Sequence, residues 1–354
     1  MTSRSYLWPG VPLALGSAVL FGASAPLSKI LMGSVDPWLL AGILYLGAGV
    51  GLAIVHWGRP LIGLTSPEAP LRRRDLPWLA MVVIFGGVLG PLLLMLGLSQ
   101  TSAASGSLLL NLEALATMFI AWAVFRENVD RRLLLGAAAI LAGAVLLTWT
   151  NDGLKLDSGS LLIAAACLSW GIDNNLTRKL SSADPVQIAM IKGLVAGTTN
   201  LALALSLGAD LPGIEFIGAG AVLGFLAIGV SLVMFMLGLR HLGTARTGAY
   251  FSLAPFIGSV LALAIFRDPI TWQLVGAGIL MATGLWLHLA ERHDHAHDHE
   301  VLEHDHAHVH DEHHQHTHVG PVIEPHSHWH RHEPMRHKHP HYPDLHHRHG
   351  HSHG

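Results

Sequence analysis

The chain has 354 residues, of which 51% are hydrophobic and 13% charged, with a formal net charge of −3 and a single cysteine. Soluble domains carry roughly 25% charged residues, so this composition excludes an ordinary soluble globular protein and points to the membrane. The lone Cys167 excludes an intrachain disulfide and leaves helix packing to hold the fold.

Taken in order, the first apolar run covers residues 11–31. Ala23-Ser24-Ala25 resembles a signal-peptide cleavage site, but Pro26 follows directly and the run continues through Leu31, which predicts an uncleaved first helix. Nine further runs lie at residues 37–57, 77–97, 104–125, 133–150, 159–177, 186–206, 217–237, 247–266 and 272–290. Each approaches the about 20 residues that cross a bilayer as a helix. The Gly pairs 86 and 90, 193 and 197, and 220 and 224 have the four-residue spacing that lets helix backbones approach. Tryptophans at 8, 38, 57, 78, 122, 149, 272 and 286 cluster near run ends as interfacial anchors, and the scattered methionines read as core filling.

Ionisable groups at membrane depth are expensive unless paired or hydrated, which marks each one inside these runs. Glu113, beside Asn111 in the fourth run, could ligate a cation or carry a coupling proton, or could simply neutralise Lys192. Asp173 and Asn174 in the sixth run, with Ser169 and Thr177 on the same face, could form a hydrated vestibule; the plainer reading of Asp173 is again a salt bridge to Lys192 in the seventh. Lys192 reads first as a structural counter-ion, and Asn111 as a helix-bridging amide. His56, His241 and His288 stand near run ends, where lone histidines are ordinary.

Loop charge predicts orientation. With the N-terminus in the cytoplasm, thirteen Lys and Arg residues from Arg4 to Arg292 fall on the inner side, against Lys29, Lys155 and Arg267 outside. Ten crossings return the chain to its starting side, so both termini are expected in the cytoplasm.

Twenty-four of the 27 histidines lie in residues 291–354. His293, His295, His297, His299, His304, His306, His308, His310, His313, His314, His316 and His318 open a His-x-His pattern interleaved with acids. Neutral imidazole favours nickel, cobalt, zinc and Cu(II), so the tail reads as a ligand reservoir for divalent metals. With little to bury, it is expected to lack regular structure without metal.

The two halves align on each other. Residues 96–127, ending in Phe125-Arg126-Glu127, match 237–268, ending in Phe266-Arg267-Asp268, without a gap. Phe21-Gly22 matches Trp170-Gly171, and Asp36-Pro37 matches Asp184-Pro185. Five crossings per half would make the second half inverted, an arrangement that places a substrate site near the midplane. At these residues, and in the Gly-rich helices that follow (Gly136 to Gly143 and Gly276 to Gly284), residues 11–290 resemble the EamA branch of the drug/metabolite transporter superfamily. That resemblance implies secondary transport of small molecules, often export. Pro255 and Lys192 stand where the resemblance implies a proline and a basic residue, whereas their first-half counterparts, Ala114 and Leu44, depart from that pattern.

The expected fold is an all-α integral membrane protein of ten transmembrane helices in two inverted five-helix repeats, residues 1–150 and 151–290, with a disordered tail at 291–354. No Walker-type phosphate motif appears, so a gradient must drive transport, and no nucleophile–base arrangement suggests an enzyme. The leading expectation is export of a divalent transition-metal cation, nickel or cobalt before zinc, across a bacterial inner membrane, with the tail capturing or sensing the ion. The alternative is export of an amino acid or other small metabolite with an incidental tail; a third reading is a membrane-tethered metal buffer. Expected partners are the lipid bilayer and a small solute or metal ion, with no nucleic acid, no required cofactor, and a homodimer as a compatible assembly.

Overall fold

In a computed structural model, the structure describes residues 10–59, 71–125, 131–150, 153–154, 157–177, 180, 184–242 and 244–289, and the backbone of four short segments in the tail. Helix α1 (Gly10–Leu31) is followed by α2 (Pro37–Gly58), which starts where Asp36 caps it. The Asp36 carboxylate accepts from the Trp38 and Leu39 backbone N–H groups at 2.8 and 3.3 Å, and Pro37 occupies the first helical position, where its missing N–H costs nothing. The same Asp-Pro signal starts the later helix α9 (Pro185–Ser206), where Asp184 accepts from Val186 N–H at 2.8 Å.

Between them, α3 (Leu76–Val82), a π-helical turn (Val83–Leu89) and α4 (Gly90–Gln100) form one continuous rod. Helices α5 (Ala103–Leu109) and α6 (Leu112–Phe125) are separated by a break at Leu110-Asn111, and α7 (Arg131–Leu147) follows. A two-residue antiparallel pair, β1 (Trp149–Thr150) with β2 (Gly153–Leu154), leads to α8 (Ser158–Thr177) and then α9. The last third repeats the pattern: α10 (Ile214–Gly224), a second π-helical turn (Phe225–Val230), α11 (Ser231–Leu242), a broken pair α12 (Thr244–Phe251) and α13 (Ala254–Phe266), and α14 (Trp272–Leu289). Arg267 ends α13 in the left-handed region at φ 55°, an uncommon backbone for a residue with a Cβ.

Among the described residues, seven helical stretches are long and apolar enough to cross a membrane: Gly10–Leu31, Pro37–Gly58, Arg73–Gln100, Ala103–Val124, Pro185–Ser206, Ile214–Gly238 and Thr247–Phe266. The other expected runs are present as helices α7, α8 and α14. Large apolar side chains on the outer faces, such as Ile54, Trp57, Val124, Val260 and Trp286, are each about two-thirds exposed, the surface a hydrocarbon solvent requires. The chain is a multi-pass membrane protein.

The halves echo each other in packing as well as in order. The shift that takes Leu96 to Leu237 carries the first π-helical turn onto the second to within a residue. Helix α2 lies against α9 and α7 against α14, each helix meeting its own counterpart, while α4 on α8 is matched by α1 on α11. Glycine makes the two self-paired contacts possible: a Cβ on Gly193 would lie 2.6 Å from Gly49 Cα, and one on Gly284 would lie 2.5 Å from the Gly136 carbonyl oxygen. Gly86, Gly90, Gly197, Gly220 and Gly224 likewise face neighbouring helices with no room for a side chain.

In the tail, the described backbone is confined to four short strands. β3 (Ala296–His299) pairs antiparallel with β6 (Met335–Lys338), and β4 (Leu302–His308) with β5 (His326–His332). The His-x-His alternation has the two-residue period of a strand, and the register sets Asp298 opposite Arg336 and Glu303 opposite Arg331. Of the expected ligands, His293, His295, His310, His313, His314, His316 and His318 lie outside the described residues.

Candidate functional site

The first π-helical turn organises the polar interior. A π turn shifts backbone pairing from i+4 to i+5, so carbonyls along it are open to other donors. Side chains of three neighbouring helices take them: Ser169 Oγ donates to Phe85 O at 2.8 Å, Trp170 Nε1 and Tyr45 OH donate to Gly86 O at 3.1 and 3.0 Å, and Asn200 Nδ2 donates to Gly87 O at 3.2 Å. Tyr45, Ser169, Trp170 and Asn200 are all buried, so the turn is fixed from α2, α8 and α9 at once.

Against this turn lies the ion pair of the membrane interior. Lys192 Nζ on α9 donates to Asp173 Oδ2 on α8 at 2.5 Å, with side chains 14% and 7% exposed. Gly86 is where the pair touches the turn, since a Cβ there would collide with both the Asp173 carboxylate and the Lys192 ammonium. Thr177 Oγ1, one helical turn on, donates to Asp173 Oδ1 at 3.3 Å.

Glu113 stands in the first turn of α6, just past the helix break, and takes a different partner. Its Oε1 accepts from Asn174 Nδ2 at 2.9 Å, and the same amide nitrogen reaches Thr117 Oγ1 at 3.2 Å. Gly171 lets α6 approach: a Cβ there would lie 2.9 Å from Thr117 N. Asn175 ties the two helices by donating to Thr117 O at 3.1 Å and Gly171 O at 2.8 Å. Asn174 is exposed, Glu113 and Lys192 are both partly buried, and Asp173 is buried.

The structure therefore brings Glu113, Asp173, Asn174 and Lys192 into one group and leaves Asn111 outside it. Asn111 Nδ2 donates to Leu108 O at 2.8 Å and lies 3.8 Å from Met281 Sδ, bridging the α5–α6 break toward α14. Lys192 takes Asp173 as its partner, not Glu113. Among the described residues no cation lies within ion-pair distance of Glu113, so the group carries two carboxylates against one ammonium. His288 is elsewhere, with Nε2 3.0 Å from Leu133 O at the α7–α14 contact; His56 sits near the end of α2, and the side chain of His241 lies outside the described residues. Also among the described residues, no three His, Cys, Asp or Glu side chains converge as a metal site.

Sequence reasoning missed Gly86, Tyr45, Trp170 and Thr117. The Gly86 and Gly90 spacing signalled close packing only, and nothing in an apolar run announces a π turn. Chemically, the group offers a half-buried carboxylate without a cation and, beside it, a lysine whose ammonium has three N–H donors and spends one on Asp173.

A family model described as the EamA-like transporter family matches the chain twice, over residues 8–149 and 157–290. An uncharacterized transporter of Methanothermobacter thermautotrophicus is 29% identical over 79% of this chain and 86% of its own length. A probable amino-acid metabolite efflux pump of Salmonella typhimurium is 27% identical over 78% of this chain and 93% of its own. A solved crystal structure superimposes with a TM-score of 0.58 at 18% identity, covering 79% of this chain and 96% of that one, and shares the fold.

Proposed function

The chain belongs to the EamA-like transporter family, and from that premise we propose that it exports a small organic metabolite, amino acids first, by secondary transport across a bacterial inner membrane. The observation that carries this reading is the group of Glu113, Asn174, Asp173 and Lys192, a partly open polar site held between α6, α8 and α9 inside an otherwise apolar body. The amino-acid metabolite pump of Salmonella typhimurium supports the cargo class. The self-paired packing of α2 with α9 and α7 with α14 supports a reading of ten crossings in two inverted five-helix repeats, with the site between the halves. Both termini then face the cytoplasm, and an ion gradient or the solute's own gradient drives transport.

The metal-cation cargo expected from the tail finds less support in the body, where a lysine shares the site with the carboxylates. We assign the histidines a separate role as a cytoplasmic divalent-metal ligand segment. Efflux decides between the cargoes: proteoliposomes holding the full chain are loaded with radiolabelled amino acids in one set and with radioactive nickel or cobalt in another. Amino-acid movement without metal movement is expected, and the reverse result overturns the assignment.

A further inference from the structure

The two π-helical turns share a backbone but not their supports. The shift that takes Leu96 to Leu237 also takes Phe85 to Leu226 and Gly90 to Ser231. Gly90 N–H donates to Phe85 O across the first turn, and Ser231 N–H reaches Leu226 O across the second. We propose that the second turn (Phe225–Val230) is the hinge of the molecule, at which α10 swings against α11, and that the first (Val83–Leu89) is a fixed strut.

The supports differ because the surrounding side chains differ. Four donors hold the first turn: Ser169 on Phe85 O, Trp170 and Tyr45 on Gly86 O, and Asn200 on Gly87 O. Helices α1 and α2 face the second turn as α8 and α9 face the first. The shift that takes Phe21-Gly22 to Trp170-Gly171 puts Leu20 in the place of Ser169 and Phe21 in that of Trp170. The shift that takes Asp36-Pro37 to Asp184-Pro185 puts Leu52 in the place of Asn200 and matches Tyr45 with Gly193. None of Leu20, Phe21, Leu52 and Gly193 has a side-chain donor. Among the described residues, no side chain donates to a carbonyl of residues 225–230.

The backbone register follows the supports. Gly90 N–H has Phe85 O alone, a committed π bond, whereas Ser231 N–H is divided between Leu226 O and Ile228 O. A turn whose bond is shared changes register readily, and π turns are where helices kink. The faces between α10 and α2 are smooth. A Cβ on Gly224 would lie 2.7 Å from Leu44 Cα and one on Gly47 2.5 Å from Ala221 Cα, so backbone meets backbone there with no side chain between. A directional contact stands at the far end of the turn: Ser17 Oγ donates to Ser231 O at 2.8 Å and Ser231 Oγ to Ser17 O at 3.0 Å, both residues buried. That reciprocal pair ties the start of α11 to α1 and makes it the pivot. The Asp173–Lys192 pair lies against the strut, so the charges stay in place while the apolar rod bends.

Hydrogen exchange on the full chain in detergent, followed by mass spectrometry, reads the contrast. Relative to intrinsic rates, peptides over residues 225–231 should exchange at least about tenfold faster than those over 84–90, because opening the second turn breaks no side-chain bond. Leu20→Ser supplies a donor where Ser169 stands in the other half, and Leu20→Ala makes the same space without one. Exchange over the second turn should be about threefold slower or more in Leu20→Ser than in Leu20→Ala. In proteoliposomes, any radiolabelled amino acid that the unaltered chain exports should also move at least about threefold more slowly through Leu20→Ser than through Leu20→Ala. Equal exchange over the two turns, or faster exchange over the first, overturns the hinge. So does Leu20→Ser protein that exchanges more slowly yet exports as Leu20→Ala does. Should neither variant fold, the contrast on the unaltered chain decides. If no amino acid moves, the exporter reading fails, and exchange still decides the hinge.

Discussion

Lys192 on α9 is paired with Asp173 on α8 at 2.5 Å, and that pairing leaves Glu113 on α6 to the Asn174 amide at 2.9 Å. The two carboxylates thus differ in partner: Asp173 is paired with an ammonium, and Glu113 with a neutral amide.

Glu113→Gln tests this division. The change keeps size and hydrogen bonding and removes only the charge, and Lys192 retains its own partner. The variant should reach wild-type yield and thermal stability while losing transport by about tenfold or more, since a charged hydrogen bond to the substrate is weakened. Yield and unfolding in detergent, read beside efflux, check both halves; a fall in yield would tie Glu113 to Lys192 after all.

Asp173→Asn should behave in the opposite way. It strands the Lys192 ammonium, 14% exposed, beside a neutral amide, and breaking a buried pair from one side costs about 3–5 kcal/mol where the charge cannot escape. Loss of folded protein is the expected outcome, relieved by adding Lys192→Met. Size-exclusion profiles of the single and double variants measure it.

Gly86→Ala probes the contact between the π turn and the ion pair. A Cβ at this position meets the Asp173 carboxylate and the Lys192 ammonium, and overpacking of this kind costs about 1–3 kcal/mol. Gly58, at the end of α2, has nothing within 4 Å of the same added atom. Gly58→Ala should therefore leave the melting temperature unchanged or slightly raised, while Gly86→Ala lowers it and slows transport. Equal effects would remove the special status of Gly86.

Much of this arrangement is legible in the sequence because each signal has a local cause. Asp36-Pro37 and Asp184-Pro185 announce helix starts, since a carboxylate cap and a proline suit the same few positions. The Gly-rich runs Gly136 to Gly143 and Gly276 to Gly284 mark equivalent helices in the sequence, and the fold sets their glycine-bearing faces against each other as α7 and α14. Partner choice is another matter. Glu113, Asp173 and Lys192 were all visible as charges in apolar runs, yet which carboxylate takes the lysine depends on the rotation of α6, α8 and α9, which no spacing within one helix encodes. The π turn is equally silent, being set by donors from Tyr45, Ser169, Trp170 and Asn200 that arrive from three other helices.

The His-rich tail supplies the last prediction, independent of what the body transports. Strands β4 and β5 set His304, His306 and His308 opposite His330, His328 and His326, so residues distant in sequence share positions along one ladder. The full chain should take up several Ni²⁺ or Zn²⁺ ions at pH 7.5, and a chain ending at Arg292 should take up few. A metal ligand must be unprotonated, so uptake should weaken as pH falls through about 6.5, the ordinary imidazole range. If the ladder gathers the ligands, replacing His326, His328 and His330 by Asn should lower uptake more than the same change at His346, His347 and His349. Calorimetry on the purified chain in detergent distinguishes the two, and equal losses would make the tail a reservoir in which only the number of histidines counts.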